Sequence, residues 1–183
     1  MEKTVIETER LVLRPWTEDD AESLYEYAKD PRVGPSAGWQ AHASVEESLE
    51  TIRTVFSVEE IYAVCPKGSN KPVGCVGLHI GEKSSLSLPE NEAEIGYWIG
   101  VPFWGQGLIP EAVNALINRS FATLKMEKLW CGYFEGNEKS KRVQEKCGFT
   151  YHHTKKDVFR PLINEIKTEH YTLLAKENWE KSR

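Results

Sequence analysis

The sequence predicts one α/β (α+β) domain built on a mixed, mostly antiparallel central sheet of about seven strands, with helices on both faces. Three observations carry that prediction. Apolar runs of strand length recur along the chain, and amphipathic runs at helical spacing separate some of them while turn residues separate the others. The resulting order, β, α, α, β, β, β, α, β, α, β, β, mixes crossovers with hairpins. No repeat, linker or low-complexity tract interrupts the 183 residues, a length that suits one core rather than two, so residues 1–183 read as a single domain.

The elements follow in chain order. "RLVLRPW" alternates with period two, which sends Leu11 and Leu13 to one side of a first strand. Thr17 with Asp20 is a capping-box signal for a helix whose apolar positions are Ala21, Leu24, Tyr25 and Ala28. Residues 31–44 lose periodicity at Pro31, Gly34, Pro35 and Gly38 and read as a loop. Ser44 with Glu47 opens a second helix to about Phe56. "IYAVCP" and "PVGCVGLHIG" read as paired antiparallel strands, and "EAEIGYWIGV" as the next strand. "EAVNALINRSFATL" stacks Val113, Leu116, Ile117 and Phe121 on one face. "KLWCGYF" is a strand, "NEKSKRVQEKC" a short helix, and "GFTYHHTKKDVF" and "TEHYTLLAKENW" close the fold.

Composition excludes several classes of function. With 40% apolar and 28% charged residues the chain is neither disordered nor membrane-spanning, and 28 acidic against 23 basic residues give a net charge of -5. No basic block follows a nucleic-acid backbone, although Lys139, Lys141 and Arg142 form a local patch able to hold an anion. The charged start carries no secretory signal, so the cytoplasm is the expected location. Cys65, Cys75, Cys131 and Cys147 lack metal-ligand spacing and read as buried thiols, and no metal is expected.

"PFWGQGLIPEA", residues 102–112, places Gly105 and Gly107 before a helix. Glycines there admit backbone angles closed to other residues and let a ligand approach main-chain N–H groups. The helix behind them offers unpaired N–H groups and a partial positive charge, an anion site in kind. Pro110 fits the first turn, where its missing donor has no partner.

Set beside "NEKSKRVQEKCGF", this stretch resembles the acetyl-CoA-binding core of the GNAT superfamily of N-acetyltransferases. More narrowly it is similar to the RimJ/RimL-type ribosomal-protein N-terminal acetyltransferases. "ETERLVLRPWTEDDAESLYEY" and "YTLLAKENW" extend the resemblance to about residues 8–179. It implies the GNAT fold and acetyl-CoA as co-substrate. It also implies transfer of an acetyl group to a primary amine, on a protein N-terminus or a small molecule, by direct attack on the thioester. Trp98, Ile99 and Gly100 would pair with the pantetheine arm, and Trp104, Gly105, Gln106, Gly107, Leu108 and Ile109 would hold the pyrophosphate. Asn137 and Ser140 would sit near the thioester. Ser140 is the candidate to hydrogen-bond the departing sulfur, Asn137 to fix the pantetheine or acetyl group, and Glu94 to take the amine proton.

Two positions depart from the family's pattern. Gln144 stands where many members have a tyrosine acid, and an amide cannot donate as a phenol does. Ile109 stands where a small residue is usual, and would crowd the pyrophosphate unless it turned inward. Gln144 leaves an alternative, a non-catalytic acyl-CoA-binding module of the same fold. The acceptor pocket is expected from residues 31–44, 82–92 and 155–168, with Trp39, His42, Phe159 and Arg160 as lining candidates and Glu90, Glu92 and Glu94 as an acidic mouth. His152 and His153 are expected on opposite faces of a strand, in structural roles. Homodimers are the commonest oligomers, which leaves a homodimer open as a base rate only.

Overall fold

A computed structural model describes residues 4–183. Its strands are β1 (Ile6–Glu7), β2 (Leu11–Arg14), β3 (Ile61–Pro66), β4 (Gly74–Ile80), β5 (Glu92–Ile99), β6 (Lys128–Phe134), β7 (Thr150–Arg160) and β8 (Glu165–Ala175). The helices are α1 (Ala21–Ala28), α2 (Gly34–Ala37), α3 (Val45–Thr51), α4 (Leu108–Asn118), α5 (Glu138–Lys146) and α6 (Lys176–Lys181). The chain forms two compact units, one of residues up to Gly77 plus Tyr97–Ala112, the other of Leu78–Gly96 plus Val113–Arg183. β4, β5 and α4 each run from one unit into the other.

In the first unit β1, β2, β3 and the start of β4 lie antiparallel in that order, with Leu13 opposite Val64 and Ala63 opposite Cys75. Leu11 and Leu13 are fully buried, as the period-two pattern requires. The capping signal holds: Asp20 Oδ2 accepts from the Thr17 N–H at 2.9 Å and from Thr17 Oγ1 at 3.1 Å, and the Asp20 N–H donates to the Thr17 main-chain carbonyl at 3.0 Å. Helix α1 then buries Ala21, Leu24 and Ala28 against Trp16, Ile52, Cys65, Cys75 and Trp98. The Trp98 ring sits 6.3 Å from Trp16 and 5.7 Å from Trp39, an aromatic cluster that fixes the end of β5.

In the second unit the order is β5-β6-β8-β7. β5 and β6 run parallel over only three pairs, Glu92↔Lys128, Ala93↔Leu129 and Glu94↔Trp130, whereas β6 pairs antiparallel with β8 from Lys128 to Phe134. Helix α4 buries Val113, Leu116 and Ile117, and Phe121 follows in a π-helical turn. The predicted fold class is therefore observed, with eight strands where about seven were expected.

Three details differ from expectation. Residues 31–44 contain the short helix α2, closed by Gly38 at φ 93°. Residues 155–168 are a hairpin, with only 161–164 outside β7 and β8; exposed charged residues weaken the alternation that would have marked it as strand. His152 and His153 share a face. Between Tyr151↔Thr172 and His153↔Tyr171 the register of β7 gains one residue, and this bulge undoes the alternation expected of a regular strand.

All four thiols are buried, and burial pushes Cys75 and Cys147 up to about 12 and Cys65 to about 11. Among the described residues no helix is long and apolar enough to cross a membrane.

Candidate functional site

The glycine loop lies in the first unit. Gly105 and Gly107 take φ of 75° and 76°, the left-handed region that excludes most side chains. A Cβ built on Gly105 would meet nothing within 4 Å, so the backbone there is open to approach. Helix α4 begins at Leu108, and its first N–H groups follow directly on the glycines. Leu108 and Ile109 are buried at 7% and 6% exposure. Ile109 thus turns inward and leaves the loop uncrowded.

A latch that local sequence reading missed holds this loop. Arg10 Nη1 donates to Gln106 O at 2.9 Å, and Arg10 Nε donates to Glu111 Oε2 at 2.7 Å. Glu111 Oε1 accepts from the Arg10 N–H at 2.8 Å and from Thr8 Oγ1 at 2.6 Å. Burial works to raise the Glu111 carboxyl; the Thr8 and Arg10 donors outweigh it and hold it below the ordinary value. The second guanidinium nitrogen stands 3.5 Å from where a Gly107 Cβ would be, so a cation flanks the loop. Sequence carries one usable signal for this latch: an acid in the first turn of a helix, where the dipole favours it.

Before the loop, the Gly100 N–H donates to Val73 O at 2.8 Å. Strand alternation then turns the main-chain groups of Tyr97 and Ile99 to the opposite edge of β5, the edge an added extended chain would use. The Trp104 indole donates to Ile99 O at 3.0 Å and ties the loop's first residue back to that strand. Gln106 Nε2 donates to Pro102 O at 2.9 Å. Trp98 is 8% exposed and packs in the aromatic core, while Tyr97 is half-buried.

The other candidate residues lie in the second unit. Asn137 is the N-cap of α5, its Oδ1 accepting from the Ser140 N–H at 3.1 Å. Gln144, fully buried one turn on, donates through Nε2 to Gly132 O at 3.0 Å and to Ser140 Oγ at 3.2 Å. Its Oε1 accepts from Thr172 Oγ1 at 2.7 Å. Gln144 therefore links α5 to β6 and β8, and its amide directs a donor at the Ser140 oxygen.

Glu94 Oε2 accepts from Ser84 Oγ at 2.7 Å, Ser85 Oγ at 3.0 Å and the Ser85 N–H at 3.1 Å, so this carboxylate anchors the segment after β4. Glu92 is buried and accepts from Trp130 Nε1 at 2.6 Å and Lys128 Nζ at 3.0 Å; Glu90 is exposed. Of the expected lining residues, His42 is buried with its Nδ1 2.7 Å from Ser48 Oγ, and Trp39 packs on Trp98. Phe159 is exposed. Arg160 is bidentate on Glu169, whose second partner is the Tyr171 phenol.

The family model for the acetyltransferase (GNAT) domain matches residues 10–150. YdaF of Bacillus subtilis (strain 168), provisionally named a ribosomal N-acetyltransferase, is 34% identical over 109 residues, which are 58% of this chain and 55% of YdaF. A GNAT-family acetyltransferase from Bacillus anthracis superposes with a TM-score of 0.83 at 24% identity, over 95% of this chain and 99% of its own. The microcin C7 self-immunity acetyltransferase MccE, solved in complex with acetyl-CoA and AMP, has a TM-score of 0.75 at 20% identity, over 92% of this chain and 93% of its own.

Proposed function

The chain belongs to the GNAT acetyltransferase family, and on that premise we propose that it moves an acetyl group from acetyl-CoA to a primary amine, with a protein or peptide α-amino group as the leading acceptor. The observation that carries the donor is the glycine loop: two left-handed glycines, an open backbone, a helix N-terminus and a latched guanidinium. Those features fit a pyrophosphate. The acetyl-CoA complex of MccE and the provisional name of YdaF support the donor and the acceptor respectively. A cytoplasmic setting belongs to the same proposal.

The scheme gives each residue a role that its bonds support. Residues Trp104 to Ile109 hold the pyrophosphate through main-chain N–H groups, with Arg10 keeping the loop in place. The outward edge of β5 pairs with the pantetheine, in this scheme through the Ile99 N–H, since Ile99 O already accepts from the Trp104 indole. Asn137 fixes the first turn of α5 and hence the position of Ser140. Gln144 donates to Ser140 Oγ and so helps fix the position of that hydroxyl, which in this scheme serves the sulfur as charge develops there. Glu94 contributes a negative charge that draws an ammonium group. Gln144, the residue that favoured a non-catalytic module, has a positioning role in this scheme and needs no proton-donating one.

Ser140→Ala tests the assignment. Loss of a group serving the leaving atom is expected to lower kcat by roughly 100-fold. Coenzyme A affinity, measured by titration calorimetry, should stay at the wild-type value. An unchanged kcat would remove Ser140 from the chemistry.

A further inference from the structure

The bulge in β7 places the His152 and His153 rings together on one face of the second unit, with centroids 5.1 Å apart and Nδ1 atoms 2.9 Å apart. The His152 ring meets Trp130 edge-on at 4.8 Å, and the His153 ring stacks on Tyr171 at 4.9 Å and 16°. Trp130 is where the β5–β6 ladder stops, opposite Glu94. Bulges re-aim side chains, and they are common beside active sites. We propose that the His152–His153 pair is the proton acceptor that converts the incoming ammonium group to a nucleophilic amine; this rests on the acetyl-transfer function given above.

An Nδ1–Nδ1 hydrogen bond requires one ring to donate and the other to accept. The donor ring then carries its lone pair on Nε2. A proton taken there leaves the Nδ1 bond intact and makes it charge-assisted, so the pair holds one added proton well and resists a second. Glu94 is less suited, because a proton on either oxygen would remove the charge that its serine donors, three on Oε2 and a longer one at 3.3 Å on Oε1, stabilise.

The groups facing the pair set when it is neutral. On β7 this is Lys155, whose Nζ lies 5.2 Å from the Tyr171 ring centre; on β8, Tyr171 with Glu169 and Arg160 behind it; on β6, Trp130 and Lys128; on β5, Glu92 and Glu94. Burial first, then the charges of His152 and Lys155, hold His153 below the ordinary imidazole value. His153, held low in this way, is the ring more readily neutral and able to accept, while the carboxylates and the aromatic rings of Trp130 and Tyr171 favour a cationic acceptor.

In the step, the pair takes one proton from R–NH3+. The amine lone pair forms the C–N bond, the C–S bond breaks with its electrons going to sulfur, and the second nitrogen proton ends on sulfur as a thiol. The pair then returns its proton to water.

Two measurements test this. Imidazole NMR of the unliganded protein is expected to show His153 titrating below an ordinary histidine, and rising in His152→Gln. Independent titration of both rings at ordinary values would overturn the pairing. In turnover of a peptide with a free α-amino group, His152→Gln and His153→Gln are expected to lose roughly 100-fold in kcat/KM at pH 7. They should recover as pH rises past the amine's own pKa of about 8, where the amine needs no base. Coenzyme A affinity should not change. Full activity with an unchanged pH profile in both variants would overturn the proposal. His152→Asn, which keeps a group near the Nδ1 position but no Nε2, replaces any variant that fails to fold and is expected to lose the same rate. Absence of turnover in the wild-type protein with every amine would instead count against acetyl transfer, since the NMR titration reads the pair without it.

Discussion

Gly107→Val is expected to weaken coenzyme A binding by at least tenfold while the chain still folds. Gly107 sits at φ 76°, and an L-residue forced there costs about 1–2 kcal/mol, more for a β-branched one. The loop can relieve that strain only by rotating its N–H groups out of the left-handed arrangement. Arg10 opposes the rotation, since its guanidinium holds Gln106 O and stands 3.5 Å from the new Cβ. Either outcome, a strained loop or a rotated one, disturbs the cradle, and each 1.4 kcal/mol lost is a factor of ten in affinity. Gly68→Val is the control. Gly68 has φ 84° with nothing within 4 Å of a Cβ, in a turn far in sequence from the loop. It should cost similar stability and leave binding unchanged; equal binding losses in the two variants would mean that the Gly107 effect is general destabilisation.

Gln144→Leu is expected to lower both stability and rate. The substitution removes the partner of Gly132 O inside the second unit and takes an acceptor from Thr172, which keeps its longer bond to Cys131 O at 3.2 Å. Leaving a half-buried carbonyl without its donor costs about 1–2 kcal/mol, which for a chain of this size is a fall in Tm of roughly 2–8 °C. Ser140 loses its donor at the same time, so kcat should fall toward the Ser140→Ala value. Thermal melting and steady-state kinetics on the same preparations separate the two effects. A variant that melts lower but turns over normally would reduce Gln144 to a structural residue.

Local chemistry explains why much of this molecule was legible in its sequence. Leu11 and Leu13 announce a strand by alternation, Thr17 and Asp20 a helix start by reciprocal capping, and Val113, Leu116 and Ile117 a buried helix face by spacing. The glycine loop was legible because two glycines before a helix restrict what the backbone is doing. Other features depend on partners far along the chain. Arg10 and Glu111 are 101 residues apart, and nothing near either one names the other. Gln144 reads as a missing phenol until Gly132, Ser140 and Thr172 are seen around it. His152 reads as the opposite face from His153 because alternation is the rule for strands, and a single extra residue in β7 reverses it. The inward turn of Ile109 likewise depends on packing and not on any neighbouring residue.

The most direct test of acetyl transfer is a product assay. The protein is incubated with acetyl-CoA and, separately, peptides bearing free α-amino groups, polyamines and aminoglycosides, and each reaction is followed by mass spectrometry and by thiol release. The expected result is an acetylated primary amine with one equivalent of free coenzyme A thiol, found first among the peptides. Tight coenzyme A binding with no acetylated product from any acceptor class would contradict it.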